Sequence, residues 1–155
     1  MKIEARWHDP IALSDGKKNN LIYYTDTNII PETSGCYVFY NKHGKSISIL
    51  YVGKADNLRL RIDQQFNNLK LMMGIQNAIN GRKFLMYCEV LGNPKAKKFK
   101  SNVKKLEKEL IKYATLEGQE LLNKKGIKIK YDWIDFKGNR DSEDMFGRRM
   151  NLTQK

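Results

Sequence analysis

Two short runs of aromatic and β-branched residues, 36–40 and 47–52, lie on either side of a polar segment, residues 41–45. Such runs on both sides of a polar turn are typical of a β-hairpin, which most constrains how this chain can fold. A third run, residues 84–91, has the same apolar character. Together the three runs predict a small, mostly antiparallel sheet of about three strands.

The length of the hairpin loop sets which residues pair across the two strands. A five-residue loop at 41–45 pairs Tyr37 with Ile49 and Tyr51 with Gly35. The two tyrosines then lie on one face of the sheet as diagonal neighbours, within reach of each other. Tyrosines in strands commonly pack against neighbouring side chains, so both are candidates either for the core or for a functional site.

Helical signals follow the hairpin. Asp56 or Asn57 is suited to cap the N-terminus of a helix. Apolar residues then recur at helical spacing, at Leu58, Ile62, Phe66 and Leu69. Further helices are expected at residues 71–78 and from about residue 101 to 117, and the alternating pattern of residues 127–136 predicts a late strand.

Strands and helices in this order predict an α/β chain of the α+β type, in which helices flank a small central sheet. The length of 155 residues suits a single domain. We expect that domain to occupy residues 1–137, including an N-terminal extension. The remaining residues, 138–155, are polar and are expected to form a poorly ordered tail.

The charge balance is strongly basic. Lysine and arginine number 29 against 17 aspartates and glutamates, which gives a net charge of +12. This surplus indicates a polyanionic partner, with nucleic acid as the first candidate and an anionic membrane surface as the second. No apolar run approaches the ~18 residues that span a bilayer, and the first ten residues lack the apolar segment of a secretory signal. The two cysteines, Cys36 and Cys88, lie in strand-like runs and are expected to be reduced core residues of a cytoplasmic protein.

The junction between the hairpin and the first helix is suited to hold a phosphate. Gly53 and Lys54 precede the helix cap, where free backbone N–H groups and the helix N-terminus favour an anion. Arg61 and Gln65 are four residues apart and share one face of that helix. Arg61 is therefore a candidate phosphate ligand, and a solvated helical arginine is the alternative.

The long helix contains two glutamates that the helical wheel separates. The inward stripe, flanked by Leu106, Ile111 and Tyr113, consists of Val103, Glu107, Leu110 and Ala114. Glu107 thus occupies a position where an apolar residue is normal, and its burial is costly unless a cation or hydrogen bonds compensate. Glu109 faces solvent. A lysine or arginine nearby could pair with Glu107 and supply this compensation.

These residues, taken in order, resemble the signature of the GIY-YIG nuclease superfamily. Gly35-Cys36-Tyr37 stands for the first triplet and Tyr51-Val52-Gly53 for the second, with the two tyrosines fourteen residues apart. The spacing to Arg61 and the amphipathic helix around it are also similar. The resemblance is strong over residues 35–66 and continues more loosely to Asn123.

The resemblance implies an endonuclease that hydrolyses phosphodiester bonds with one Mg²⁺ or Mn²⁺ ion. Glu107 corresponds to the metal-binding glutamate and Asn123 to an asparagine that follows the glutamate's helix. The implied catalytic residues are Tyr37, Tyr51, Lys54, Arg61, Glu107 and Asn123. Gln65 departs from the family pattern, since many members place a histidine or tyrosine there.

A lysine-dense stretch, residues 95–130, predicts where nucleic acid is held. Contacts from lysine to phosphate give affinity without a choice of sequence. The expected nucleic-acid contacts are Lys54, Arg61, Gln65, Lys104, Lys105, Lys124 and Lys125. DNA is the expected partner, with RNA as an alternative, and a solvated basic helix face is the alternative to a binding surface.

Three functions are compatible with these features. The first is a metal-dependent DNA endonuclease. The second is a nucleic-acid-binding module of the same fold that has lost turnover, as the glutamine at position 65 suggests. The third is a basic protein-interaction domain in which the motif tyrosines only pack. The ordered set of motif residues favours the endonuclease.

Overall fold

The computed structural model describes residues 2–123 and 132–152. The chain divides into two compact units, residues 1–125 and 126–155. The described strands are β1 (Ala5–Trp7), β2 (Ile11–Ala12), β3 (Ser14–Asp15), β4 (Tyr23–Tyr24), β5 (Gly35–His43), β6 (Ser46–Ala55), β7 (Arg82–Val90), β8 (Asp132–Asp135) and β9 (Arg149–Leu152). The described α-helices are α1 (Leu58–Phe66), α2 (Leu69–Gln76), α3 (Lys97–Leu116) and α4 (Arg140–Phe146).

The first unit is built on a five-stranded antiparallel sheet. Its strand order is β1-β7-β5-β6, and β2 also pairs with β7. The three strands expected from the sequence are β5, β6 and β7. The N-terminal strands β1 and β2, which no sequence pattern predicted, extend this sheet. The predicted α+β fold class is confirmed.

Helices cover both faces of the sheet, because alternate residues of a strand point to opposite sides. On one face Tyr37 and Phe39 of β5 pack with Leu58 of α1. On the other face Cys36 packs with Val103 of α3. The two cysteines are buried free thiols, as expected for core residues.

The hairpin loop is shorter than the sequence predicted. Its last pair is His43 with Ser46, which leaves a two-residue turn, and Gly44 in this turn has the positive φ of +59° that favours glycine. Asn41 belongs to the strand because its side chain is 1% exposed and accepts a hydrogen bond from Lys83 of β7 at 2.7 Å. Pairing with a distant strand therefore overrides the polar, turn-like composition of this segment.

The predicted hairpin register is wrong. Tyr37 pairs with Gly53, and Tyr51 pairs with Phe39, because the turn is shorter and a bulge at Leu50 shifts the register of β6. The two tyrosines nonetheless lie on the same face as diagonal neighbours, and their ring centroids are 6.2 Å apart. Their predicted proximity is thus confirmed in a different register.

The helix boundaries follow local caps. Asn57 caps α1 by accepting a hydrogen bond from Leu60 N–H at 3.1 Å. The predicted stripe ends at Phe66, because Asn68 begins α2 as its cap. Leu69 is therefore not part of the first stripe, and its side chain is 64% exposed.

The long helix α3 begins at Lys97, four residues before its predicted start. Val103 and Ala114 are buried, as the inward stripe requires. Tyr113 is 65% exposed, so it does not flank the buried stripe as expected, whereas Ile111 is buried. None of the helices in the described residues has the length and apolar character needed to cross a bilayer.

The second unit contains regular structure where a poorly ordered tail was expected. Strands β8 and β9 pair antiparallel, and helix α4 lies between them in the chain. Asn139 caps α4 by accepting from Ser142 N–H at 2.9 Å, and Asp141 and Glu143 in the first turn suit the helix dipole. The predicted strand is present at its C-terminal part, since residues 127–131 lie outside the described residues. The predicted domain boundary at residue 137 stays a prediction.

Candidate active site

One cavity of about 640 Å³ in the first unit collects the sequence-predicted catalytic residues. Its wall is formed by the end of β6 and the turn into α1, residues 51–57, and by side chains from α1, α3 and the segment after α3. Six of the lining residues are those predicted to be catalytic, namely Tyr37, Tyr51, Lys54, Arg61, Glu107 and Asn123. Asp56, Asn57, Leu60 and Gln64 also line the cavity, and sequence reasoning gave them no part in the site.

The phenol of Tyr37 fits against the backbone of β6 only because position 53 is glycine. A Cβ atom at Gly53 would lie 2.4 Å from both Cζ and Oη of Tyr37. The Tyr37 ring is fully buried, whereas Tyr51 is half-buried beside it. The second motif glycine therefore makes room for the first motif tyrosine.

The buried side chain of Gln65 hydrogen-bonds both tyrosine hydroxyls. Its side chain is 3% exposed, and its Nε2 donates to Tyr37 Oη at 2.6 Å and, at the longer distance of 3.5 Å, to Tyr51 Oη. This burial contradicts the predicted contact of Gln65 with nucleic acid, because the side chain is hydrogen-bonded to the two tyrosines and is not accessible to a ligand. No sequence pattern named these partners, since they come from a different element.

Burial dominates the electrostatics of Tyr37. Desolvation raises the pKa of Tyr37 to about 12, while the hydrogen bond from Gln65 opposes that rise and Arg61 opposes it more weakly. Tyr37 is therefore protonated at neutral pH. Its hydroxyl accepts from Gln65 and retains a proton that it can donate.

Glu107 faces this cavity from α3, as the helical wheel predicted. The side chain is half-buried, and burial raises the pKa of its carboxyl, while the positive charges of Lys54 and Arg61, and of Lys104 one turn away, lower it. Among the described residues, none of the ion pairs within 4.0 Å involves Glu107. The alternative of a glutamate locked to a neighbouring cation is therefore not observed in that part of the chain.

The side chain of Asn123 hydrogen-bonds the backbone of β6, an edge strand of the sheet. Its Oδ1 accepts from Val52 N–H at 3.1 Å, and its Nδ2 donates to Val52 C=O at 2.7 Å. Next to it, Leu122 N–H donates to Leu50 C=O at 2.6 Å. The side-chain amide thus imitates a paired peptide group and holds β6 beside Tyr51, which is a positioning role; a direct part in catalysis stays a prediction.

Arg61 is placed by the start of α1, which several hydrogen bonds fix to the preceding loop. Leu58 N–H donates to Thr33 C=O at 2.9 Å, and Arg59 Nε donates to Ile30 C=O at 2.7 Å. Arg59 therefore has a structural role, because it anchors α1 to the preceding loop. Arg61, two positions later in the helix, lines the cavity. This fixes the direction in which the Arg61 side chain leaves the helix.

The donor set for a metal ion is small. In the described residues there is no group of three or more histidine, cysteine, aspartate or glutamate side chains that could hold a metal. Two carboxylates line the cavity, those of Glu107 and Asp56. The inward carboxylate of α3, Glu107, suits a hard cation such as Mg²⁺, which keeps most of its water and binds proteins through one or two carboxylates. The chemistry of the cavity therefore fits one such ion, with water and a phosphate as its other ligands.

The predicted nucleic-acid contacts divide into three groups. Lys54 and Arg61 line the cavity. Lys104 and Lys105 are exposed on α3, and the charge of Lys104 reaches Glu107. Lys124 and Lys125 lie outside the described residues.

These features define an α+β protein with a cavity that combines paired tyrosines, two cations and an inward carboxylate. The model of the GIY-YIG catalytic domain matches residues 33–115. The chain therefore belongs to the GIY-YIG family, as its resemblance indicated, and this is a family of endonucleases.

Curated relatives match a shorter segment. The chain is similar to the UvrABC system protein C of Borrelia duttonii, with 48% identity over 44 residues, which are 28% of this chain and 7% of that protein. It is similar to the protein of the same name from Streptococcus uberis, with 46% identity over 48 residues, or 31% of this chain and 7% of that protein. The chain thus spans about 7% of the length of these relatives. No solved structure matches the chain.

Proposed function

We propose that the protein is a metal-dependent endonuclease that hydrolyses phosphodiester bonds in DNA. The observation that carries this proposal is the convergence of all six motif residues on one cavity, although they come from β5, β6, α1, α3 and the segment after α3. The net charge of +12 supports a polyanionic substrate. The names of the matched relatives leave the pathway of this chain open.

Glu107 would hold the divalent ion. Its carboxylate is desolvated in the absence of a bonded partner among the described residues, which is the state that a cation relieves. A bound Mg²⁺ or Mn²⁺ supplies a Lewis acid that stabilises negative charge at the scissile phosphate and on the leaving oxygen. Lys54 and Arg61 keep this region positive, and both would contact the non-bridging oxygens of the same phosphate.

The two tyrosines receive different tasks. Tyr37 is protonated at neutral pH, because its pKa is raised to about 12, so it donates a hydrogen bond toward the phosphate or the attacking water. Tyr51 is half-buried and lines the same cavity. Tyr51 is therefore the tyrosine whose hydroxyl oxygen would accept a hydrogen bond from the attacking water and so assist removal of its proton.

The surface of α3 extends the positive charge away from the cavity. Lys100, Lys104 and Lys108 are spaced four residues apart, are exposed and share one side of the helix. Because Lys104 acts on Glu107, this row of lysines begins beside the site. It would bind the phosphates that flank the cleaved bond, with little dependence on sequence and a strong dependence on salt.

A plasmid-nicking assay with Mg²⁺ or with a chelator tests the proposal. We expect nicking only with the metal, and a loss of about 10²-fold or more in Glu107→Ala and in Arg61→Ala, since each removes stabilisation of charge in the transition state. Glu109→Ala is the matched control, because Glu109 is an exposed glutamate of the same helix, and it should retain the wild-type rate.

Other outcomes of this assay reject the proposal. Nicking that survives the chelator, or that Glu107→Ala leaves unchanged, contradicts the assigned metal ligand. Wild-type protein that retains DNA in a gel-shift assay and does not cut it is a binding module, which the glutamine at position 65 would explain. Protein that neither binds nor cuts DNA fits an interaction domain.

A further inference from the structure

A backbone amide fixes the direction of the hydrogen bonds that lead to the tyrosines. Leu71 N–H, in the first turn of α2, can only donate, and its acceptor is Asn68 Oδ1 at 3.2 Å. The Asn68 Nδ2 group is thereby left to face Gln65, and it donates to Gln65 Oε1 at 3.1 Å. With its oxygen used by Asn68, the Gln65 amide presents its NH₂ group to Tyr37 and Tyr51.

We propose that Asn68 is a positioning residue, which holds the Gln65 amide so that the hydroxyls of Tyr37 and Tyr51 accept from it and keep their own protons for the cavity. This inference rests on the proposed nuclease function, in which those hydroxyls face the reacting phosphate. It assigns a part in the site to a residue that does not line the cavity and that no motif includes.

The orientation matters because an amide has two different ends. If the Gln65 side chain turned by half a rotation, its carbonyl oxygen would face the tyrosines. Each hydroxyl would then direct its proton toward that oxygen instead of into the cavity. Gln65 is 3% exposed, so solvent does not compensate for a misplaced end, and Asn68 is its partner on the side away from the tyrosines.

This arrangement gives a purpose to the departure from the family pattern. An amide does not gain or lose a proton near neutral pH, so Gln65 cannot transfer one as a histidine could. It can bond both hydroxyls at once, at 2.6 Å and 3.5 Å, and thereby orient them. Asn68 and Gln65 then work as one unit, with the cap of α2 as its fixed end.

Asn68→Asp separates the two roles of the residue. A carboxylate still accepts from Leu71 N–H, so the cap of α2 is preserved. Its other oxygen cannot donate to Gln65 Oε1 and instead attracts the Gln65 NH₂ group, which reverses the amide. Asn67→Asp is the matched control, because it adds the same charge one residue earlier at an exposed position whose Nδ2 donates to Asp63 C=O and not to Gln65.

Two measurements on the full chain test the proposal. In wild type and in Asn67→Asp, nuclear Overhauser contacts should join the Gln65 side-chain NH₂ protons to the ring protons of Tyr37, and Asn68→Asp should lose them while its thermal midpoint stays near that of Asn67→Asp. Metal-dependent nicking should be at least about tenfold slower in Asn68→Asp, since positioned proton donors contribute about 10² or more.

The two readouts separate this proposal from the nuclease proposal. If Asn68→Asp keeps the NH₂ contacts, or nicks DNA at the rate of Asn67→Asp, the positioning role of Asn68 is wrong. If wild type shows the contacts and nicks nothing, the orientation of the amide is supported and the proposed nuclease function is overturned. Loss of nicking with unchanged contacts also rejects the role of Asn68.

Discussion

Two partly buried carboxylates in the first unit have opposite environments. Glu89 on β7 accepts from Thr33 Oγ1 at 2.6 Å and bonds His8 Nε2 at 2.7 Å, and these bonds, the one from Thr33 above all, lower its pKa. Glu107 on α3 has its pKa raised, mainly by burial. Lys54 and Arg61 act on Glu107 through their charge without an ion pair within 4.0 Å among the described residues.

The difference separates a carboxylate whose charge is compensated by hydrogen bonds from one whose charge is not. The bonds of Glu89 join the N-terminal segment and the loop before β5 to the sheet, so its charge is compensated inside the protein. The charge of Glu107 is held in a cavity with cations at a distance. A bound cation would compensate the negative charge of Glu107, which no hydrogen bond or ion pair among the described residues does.

Replacing glutamate by glutamine should affect the rate of nicking very differently at the two positions. Glu107→Gln should lower the rate of metal-dependent nicking by about 10²-fold or more, because a neutral amide is a poor ligand for Mg²⁺. Glu89→Gln should leave the rate per folded molecule unchanged. Equal losses in the two variants, measured on samples of matched folded fraction, would remove the distinction between the carboxylates.

Stability should change in opposite directions. Glu89→Gln should lower the free energy of unfolding by about 1–3 kcal/mol, since it removes the charge from two hydrogen bonds. Glu107→Gln should raise it by less than about 1 kcal/mol, because solvent screens part of the penalty on a half-buried carboxylate. Denaturant titration at neutral pH measures both values, and a destabilised Glu107→Gln protein would refute the assigned desolvation.

The dependence on pH follows from the direction of each pKa shift. A lowered pKa means that folded Glu89 binds fewer protons than the unfolded chain, so its stabilisation is present above the ordinary glutamate pKa and is lost as the pH falls. Folded Glu107 binds more protons, so its penalty is present above the ordinary value and disappears as the pH falls. The differences between each variant and wild type should therefore shrink between neutral pH and about pH 3. A difference that stays constant would contradict the assignment.

Sequence patterns found the side chains that point in one direction along a single element. The wheel of α3 placed Glu107 inward and Glu109 outward, because helical spacing is local. Capping is local too, and Asn57 was one of the two candidate caps, with Asp56 as the other. The facing tyrosines, Tyr37 and Tyr51, were also anticipated, although the register was not.

The missed features depend on partners far away in the chain. The bulge at Leu50 and the strand position of Asn41 result from pairing with other strands, which no local pattern encodes. Gln65 was predicted to contact nucleic acid, because its actual partners, the two tyrosines, lie on the sheet and not on its own helix. The role of Asn68 could not be predicted from the sequence either, because Asn68 contacts Gln65 and not the tyrosines themselves.

Titration with Mn²⁺, observed by nuclear magnetic resonance, tests the central claim most directly. In wild type, paramagnetic broadening should be strongest for the backbone amides of Gly53, Lys54 and Glu107 and weakest for that of Gly44, which lies at the opposite end of the β5–β6 hairpin. Glu107→Gln should abolish this localised broadening. Broadening that centres elsewhere, or that persists unchanged in Glu107→Gln, would contradict the account that Glu107 holds a divalent cation in this cavity.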